Sequence, residues 1–353
     1  MKLKLSLILL LLAAMPSFSQ VKKSPSTAGL SDISKLDVVC NSGNYKEVYD
    51  VFTIGGNTLK IPNPGFTKIN KRQGIFIDKN NKTERFYLNE YFYSEKYKIL
   101  ATLWNDDVDY GYLRVFDCVN GKVLKEVDVF YRSPYSNFSM SPDSSKLLYK
   151  KNDESFFTIL DLSDMTETTY DMFPYDPYVY SQDYCDAGFI RDDIIYCTVK
   201  YTEEGDEKNK ICFYRVKDGK YTRLSDFIPI PRGYYYWKIS GFKYVICADS
   251  YWHSTEKTVL AYDKKKAVDV TENLKGDFIN PFYYNGAWYA STVIWNDKNC
   301  KTGTVCIYDS NLNCVKKCDF KNDMENKYNY PPMVGTCCID DGKIYIYLML
   351  NGK

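Results

Sequence analysis

Histidine is almost missing from this sequence: His253 is the single one in 353 residues. A Ser-His-Asp arrangement would have to use it, and no Gly-x-Ser-x-Gly elbow is present. No glycine-rich phosphate loop appears. Metal-type spacing is missing as well, since Cys314-x-x-x-Cys318 has no matching second pair. A surplus of one charge sign is absent: 46 Lys+Arg stand against 45 Asp+Glu, a formal net of +1. That balance speaks against nucleic acid as a partner. Long helical periodicity is not evident after residue 20, and no second apolar segment of membrane-spanning length occurs. The expectation is a chain with no cofactor, no metal and no membrane span once its leader is removed.

The N-terminus reads as an export signal. Met1-Lys2-Leu3-Lys4 is a basic start, residues 5–14 are an apolar run too short to cross a bilayer, and Ser17-Phe18-Ser19 offers small residues where a signal peptidase cuts. Residues 1–19 are therefore expected to be removed, leaving a periplasmic or secreted protein. No Cys follows the apolar run directly; the first is Cys40, which argues against a lipid anchor. Residues 20–44 are polar, rich in Ser and Lys, and read as a flexible leader. Residues 45–353 remain as the folded part.

What that part has in abundance is aromatic: 34 Tyr and 19 Phe. Aromatic and β-branched residues suit pleated, half-buried strands. Residues 45–54 and 58–61 read as a hairpin around Gly55-Gly56-Asn57. Further on, an apolar run, then usually Asp, then a polar turn recurs at anchors Asp78, Asp117, Asp161, Arg215, Asp263 and Asp309, spaced by 39, 44, 54, 48 and 46 residues. Such a period, with strands and no helices, marks a β-propeller. The expected fold is all-β, a six-bladed β-propeller whose ring is closed by pairing of N- and C-terminal strands. Specifically, residues 334–350 are expected to pair with 74–88, which would remove the free sheet edges. The 45–61 hairpin is left as an outer strand or part of a degenerate seventh blade. Twelve Cys in an exported chain leave two readings open: small buried hydrophobes, or one or two bridges such as Cys300–Cys306 or Cys314–Cys318.

The segment Ser141-Pro142-Asp143-Ser144-Ser145-Lys146-Leu147-Leu148 resembles the S-P-D-G-x-x-L turn of exported TolB-like six-bladed propeller proteins of Gram-negative bacteria. The match is strong in this blade alone, and Ser144 stands where the family has Gly. The resemblance implies a propeller and a binding role, and carries no catalytic motif. The repeated Ser/Asp/Gly/Trp box of sialidase-type propellers is absent.

In an antiparallel four-stranded blade, the connections between strands one and two and between three and four leave one face of the disc. The other connections leave the opposite face. The first set is made of tight turns such as 142–145, 285–286 and 340–342. The second set is longer and aromatic, where recognition usually sits. Trp-Asn-Asp occurs there twice, as Trp104-Asn105-Asp106 and Trp295-Asn296-Asp297. With Trp252, His253 and Tyr235 these are the candidate ligand-binding residues, for aromatic faces stack on sugars or peptide side chains while Asn and Asp hydrogen-bond polar groups. The structural alternative is that each Trp caps its own blade. The function expected is a non-catalytic binding or interaction protein with a protein or glycan partner in the cell envelope. The rival is a carbohydrate-active enzyme using two loop-face carboxylates, with Asp106, Asp297 and Glu203 as candidates by position.

Overall fold

A computed structural model describes residues 32–42, 49–62, 73–77, 80–105, 110–130, 138–151, 157–170, 187–203, 206–226, 228–230, 235–237, 242–248, 257–263, 266–284, 287–322, 333–340 and 342–349. The described residues are strands, turns and short 3-10 turns. None of their helices is long and apolar enough to cross a membrane.

After β1 (Asp37–Ser42) come β2 (Tyr49–Ile54), β3 (Asn57–Pro62), β4 (Gln73–Ile77), β5 (Thr83–Ser94), β6 (Ile99–Asn105), β7 (Tyr110–Asp117) and β8 (Lys122–Phe130). Strands β2–β8 are hydrogen-bonded in that order as one seven-stranded sheet. It divides at β5, whose first half pairs with β4 and whose second half pairs with β6, with a register shift between Leu88 and Glu90. Next come β9 (Ser139–Met140), β10 (Lys146–Lys150), β11 (Phe157–Asp161) and β12 (Glu167–Tyr170), a four-stranded sheet. A third sheet holds β13 (Ala187–Arg191), β14 (Ile194–Glu203), β15 (Asp206–Lys217) and β16 (Lys220–Arg223), with β17 (Ile228–Ile230) also on β15. Two more four-stranded sheets follow: β18 (Tyr235–Trp237), β19 (Tyr244–Ala248), β20 (Lys257–Asp263) and β21 (Lys266–Asp269), then β22 (Asp277–Tyr284), β23 (Ala287–Trp295), β24 (Thr302–Tyr308) and β25 (Cys314–Lys321). The chain finishes with β26 (Met333–Asp340) and β27 (Lys343–Met349), which form a three-stranded sheet with β1.

Consecutive sheets pack face to face, which explains the near-continuous apolar runs in their strands. Side chains alternate between faces along a strand. In β10, Leu147 and Tyr149 face the β5–β8 sheet while Leu148 faces the β13–β16 sheet. Ile190, Ile211 and Phe213 then meet Val245 and Leu260; Ile246 and Val259 meet Ala290 and Tyr308; Phe282, Val293 and Ile307 meet Ile344 and Ile346. The two halves of the long sheet also fold onto each other, Phe52, Ile54, Leu59 and Ile61 packing on Leu100 and Phe116. Counting those halves separately, the described residues give seven packing units.

The expected hairpin is there. Ile54 pairs with Asn57 across a two-residue loop, Gly55 and Gly56, both at positive φ, as a type I′ connection requires. Gly55 also meets Gly121 of the β7–β8 turn so closely that a Cβ on Gly121 would lie 2.4 Å from the Gly55 Cα. Only glycine permits that approach.

Three expectations are corrected. Residues 334–350 do not pair with 74–88: β27 pairs in parallel with β1, Val38 opposite Ile344 and Cys40 opposite Ile346, while β4 and β5 pair with β3 and β6. The leader expected over 20–44 contains an ordered strand, Asp37–Ser42. Its brief Val38-Val39 core gave too little alternation to read as a strand, and its pairing partner lies 306 residues away in the chain. The two bridges named by spacing do not form, for Cys300, Cys306, Cys314 and Cys318 all carry free thiols. Cys314 and Cys318 lie along one strand, about 13 Å apart at the usual rise, beyond any disulfide.

Candidate functional site

Antiparallel order fixes two rims. The turns β2–β3, β5–β6, β9–β10 and β13–β14 share an end of their sheets with the turns β7–β8, β11–β12, β15–β16 and β24–β25. Contacts between them confirm the shared rim: Ser94 Oγ donates to the Ser144 carbonyl at 2.8 Å, and the Leu162 N–H donates to the Ser145 carbonyl at 2.8 Å. The Tyr244 hydroxyl reaches the Asn311 carbonyl at 3.0 Å. The segments joining second to third strands, and one sheet to the next, lie at the other end.

On the turn rim the recurring Asp has a structural task. Asp117 Oδ1 accepts from the N–H groups of Val119 and Asn120. Asp161 accepts from the Ser163 N–H, and Asp309 from those of Asn311 and Asn313. Each carboxylate closes its hairpin by an Asx turn. In the turn with the family-like sequence, Ser141 Oγ accepts from the N–H groups of Ser145 and Lys146 and donates to Asp143 at 2.6 Å. Asp143 also accepts from the N–H and hydroxyl of Ser145. Its own N–H donates to Asp192 of the next sheet at 2.9 Å. Burial works against both charges; the Ser141 and Ser145 bonds nonetheless hold the Asp143 carboxyl below its ordinary value. Burial, joined by the Asp143 charge, pushes Asp192 up. This carboxylate pair was missed in the sequence, because Asp192 is 49 residues from Asp143 and only the stacking of sheets brings them together.

On the loop rim the expected residues divide. Trp104 and Asn105 close β6, with Trp104 opposite Tyr112 and Asn105 opposite Gly111. Trp295 closes β23 opposite Gly303. The two Trp-Asn pairs thus sit at the same end of the second strand of two different four-stranded units. Tyr235 opens β18 opposite Ala248, at that same end of a third sheet. Asp106, Trp252 and His253 lie outside the described residues.

For the described side chains the chemistry is specific. Trp295 is half-buried and meets Phe320 edge-on, ring centroids 5.5 Å apart. Phe320 lies over Gly303, where a Cβ would come within 2.6 Å of its ring. The Trp295 indole N–H is buried and lacks a hydrogen-bond acceptor. Asn296 is exposed, its amide sharing the Thr304 hydroxyl at 3.3–3.4 Å. Asp297 is occupied within its own turn: it accepts from the N–H groups of Asn299, Lys301 and Thr302 and from the Thr302 hydroxyl. The Thr302 hydroxyl bond, followed by the backbone bonds, holds its carboxyl below the ordinary value. Asp297 therefore behaves as a turn-former, like Asp117 and Asp309, and Trp295 shares its indole between packing and rim. Among the described residues no cluster of three or more metal-ligating side chains occurs.

No protein-family model matches the chain, and no curated protein does. Solved structures similar to it include an uncharacterized protein from Listeria monocytogenes EGD-e, at 10% identity over 89% of this chain and 97% of that one, with a TM-score of 0.40. The WD40 domain of Toxoplasma gondii coronin is 12% identical over 90% of each chain, with a TM-score of 0.30. Pyrococcus horikoshii acylaminoacyl peptidase is 12% identical over 74% of this chain and 44% of that one, with a TM-score of 0.39. The chain spans 57% of a dihydro-heme d1 dehydrogenase and 39% of a prolyl endopeptidase.

Proposed function

We propose that this chain is an exported, non-catalytic β-propeller binding protein whose loop rim engages a protein or glycan partner in the cell envelope. The observation that carries it is the matched placement of Trp104-Asn105 and Trp295-Asn296 at one end of two separate sheets. An aromatic plate beside an amide, repeated on a rigid scaffold, suits stacking on a sugar ring or a peptide side chain with hydrogen bonds at its edge. In this reading residues 1–19 are a signal peptide and the protein works in the periplasm or outside the cell, as the resemblance to TolB-like propellers also implies.

The ring is closed by β1 on β27 rather than by the hairpin at 74–88. Two features support closure: the parallel β1–β27 ladder, and Tyr347, buried on the face of its sheet opposite Ile344 and Ile346. A buried ring there needs a further layer over it, and we assign that layer to the β2–β5 unit, on the face opposite the one that packs on Leu100 and Phe116. The blade number then becomes seven instead of six, the 45–61 hairpin supplying the extra unit. The rival reading, a carbohydrate-active enzyme with two loop-face carboxylates, is weakened because Asp297 spends its oxygens inside its own turn.

A glycan and peptide binding screen on the mature protein, repeated with Trp104→Ala and Trp295→Phe, tests the site. The phenyl ring retains part of the packing on Phe320, so lost binding is separable from lost fold by circular dichroism. A ligand whose affinity falls at least tenfold in Trp104→Ala supports the proposal. A ligand unaffected by either change places the site elsewhere.

A further inference from the structure

We infer that the outer edge of β1 is a docking site for one extended segment of a partner protein, which joins the β1–β27–β26 sheet as its fourth strand. The inference goes beyond the loop-rim reading and does not depend on it. In the five units from β5 to β25 the third strand is covered along its outer edge: β7 by β8, β11 by β12, β15 by β16 and β17, β20 by β21, and β24 by β25. β1 stands in the third place of its sheet, with β27 on one side and no strand on the other among the described residues. Burial follows that difference. Residues 157–160, 211–214, 259–262 and 305–308, in four of the covered third strands, are buried, whereas Val38 and Val39 are half-buried. Composition agrees. Four outermost strands, β8, β16, β21 and β25, each carry two or more charged residues, which deter stray pairing at an edge. β1 carries one, Asp37 at its first position, and residues 38–42 set no charge against pairing.

The chemistry of the edge names the occupant. In a parallel pair alternate residues turn both backbone groups to the partner strand, so half of the six residues of β1 turn theirs outward. A row of alternating N–H and C=O groups is matched in register by another polypeptide backbone. Shape narrows the choice. Val38 packs against a cluster that includes Val315 and Phe320 of β25. β25 is the fourth strand of its sheet, so that sheet reaches one strand spacing, about 5 Å, beyond β1. A single extended segment fits such a recess. A second copy of this chain does not, because its own β1 lies equally far back. Side chains of the segment that face β25 meet Val315 and Phe320, both half-buried, so the segment alternates apolar and polar residues.

The test adds a panel of synthetic peptides of about ten residues, enough to span β1, with apolar and polar residues alternating, to the intact protein. Each peptide is also made in two N-methylated forms, one blocking the odd-numbered amides and one the even-numbered. The expected result is a peptide that slows hydrogen exchange at the outward-pointing amides of β1. One methylated form should lose at least about tenfold in affinity, because its ladder bonds are gone, while the other binds like the parent. The inference is overturned if no peptide of the panel binds, if both methylated forms bind as well as the parent, or if the slowed amides lie outside β1. Light scattering that shows a dimer whose outward β1 amides are protected without peptide overturns it too, in favour of a second copy.

Discussion

Two turns hold an aspartate in nearly the same way and do different things with it. In the turn 141–145, Asp143 accepts from Ser145 and Ser141, and its N–H also reaches Asp192 of the next sheet. In the turn 297–302, Asp297 accepts four kinds of local bond, all within five residues. The first turn belongs to the rim where neighbouring sheets touch; the second belongs to the rim where the candidate ligand residues stand. The difference teaches that the same Asx device can couple two sheets or merely tidy one loop. A carboxylate on the loop rim is therefore no sign of catalysis until its oxygens are shown to be unspent.

The largest disruption of this contrast comes from the core beneath the first turn. Leu148 is fully buried between the β9–β12 and β13–β16 sheets. Leu148→Ala is expected to cost about 3 kcal/mol in urea unfolding, the usual scale of a core leucine truncation, and to loosen the Asp143–Asp192 contact above it.

Next comes Glu167, which joins the β5–β8 and β9–β12 sheets. Its carboxylate meets Lys125 at 2.7 Å and Lys151 at 3.2 Å, and accepts from the Tyr149 hydroxyl. Burial opposes its charge, but bonds from Lys125, Tyr149 and Lys151 outweigh it and hold the carboxyl at about 2, against 4.5 ordinarily. A depressed folded value gives stability that is fully present above the ordinary value and is lost as pH falls from there toward 2. Glu167→Gln is expected to destabilise by roughly 1–2 kcal/mol at pH 7 once solvent screening is allowed for. The wild-type advantage should shrink through the window between pH 4.5 and about 2. Urea midpoints of both proteins across that range measure it; a constant difference would contradict the assignment.

A smaller effect of opposite sign is expected at Ser144, whose φ is +58°. A side chain costs free energy in the left-handed region and glycine does not. Ser144→Gly should raise stability by up to about 1 kcal/mol. The Ser94 hydroxyl bond to the residue 144 carbonyl, a backbone contact, should survive. An unchanged or lowered melting temperature would show that the serine is not strained there.

Asp297→Ala should have the smallest global effect. Its bonds are local, so the melting temperature is expected to move less than in Glu167→Gln, while amide exchange at Asn299, Lys301 and Thr302 accelerates. A large drop in global stability would erase the distinction between the two turns.

Much of this was legible in the sequence where the signal is local. The Asp anchors at 117, 161 and 309, the Gly55-Gly56 turn and the rim positions of Trp104 and Trp295 follow from spacing, because an Asx turn or a two-residue hairpin is written in consecutive residues. What was not legible depends on stacking or on distant pairing. The β1–β27 ladder joins residues 306 positions apart, so nothing near Val38 announces Ile344. The Asp143–Asp192 contact and the Glu167 cluster arise between sheets, which composition does not reveal. The role of Asp297 was ambiguous for a related reason: its partners are adjacent in sequence, yet a Trp-Asn-Asp motif reads equally as a binding edge and as a turn.

The joining of the chain's two ends is tested most directly by amide hydrogen exchange across β1 in the native protein. Those backbone amides between Val38 and Asn41 that donate to β27 should exchange as slowly as the β27 amides they adjoin, and lose protection together with them as denaturant is raised. Exchange of those amides at the rate of an unstructured chain, while β26 and β27 stay protected, would contradict the β1–β27 ladder on which the proposed ring closure rests.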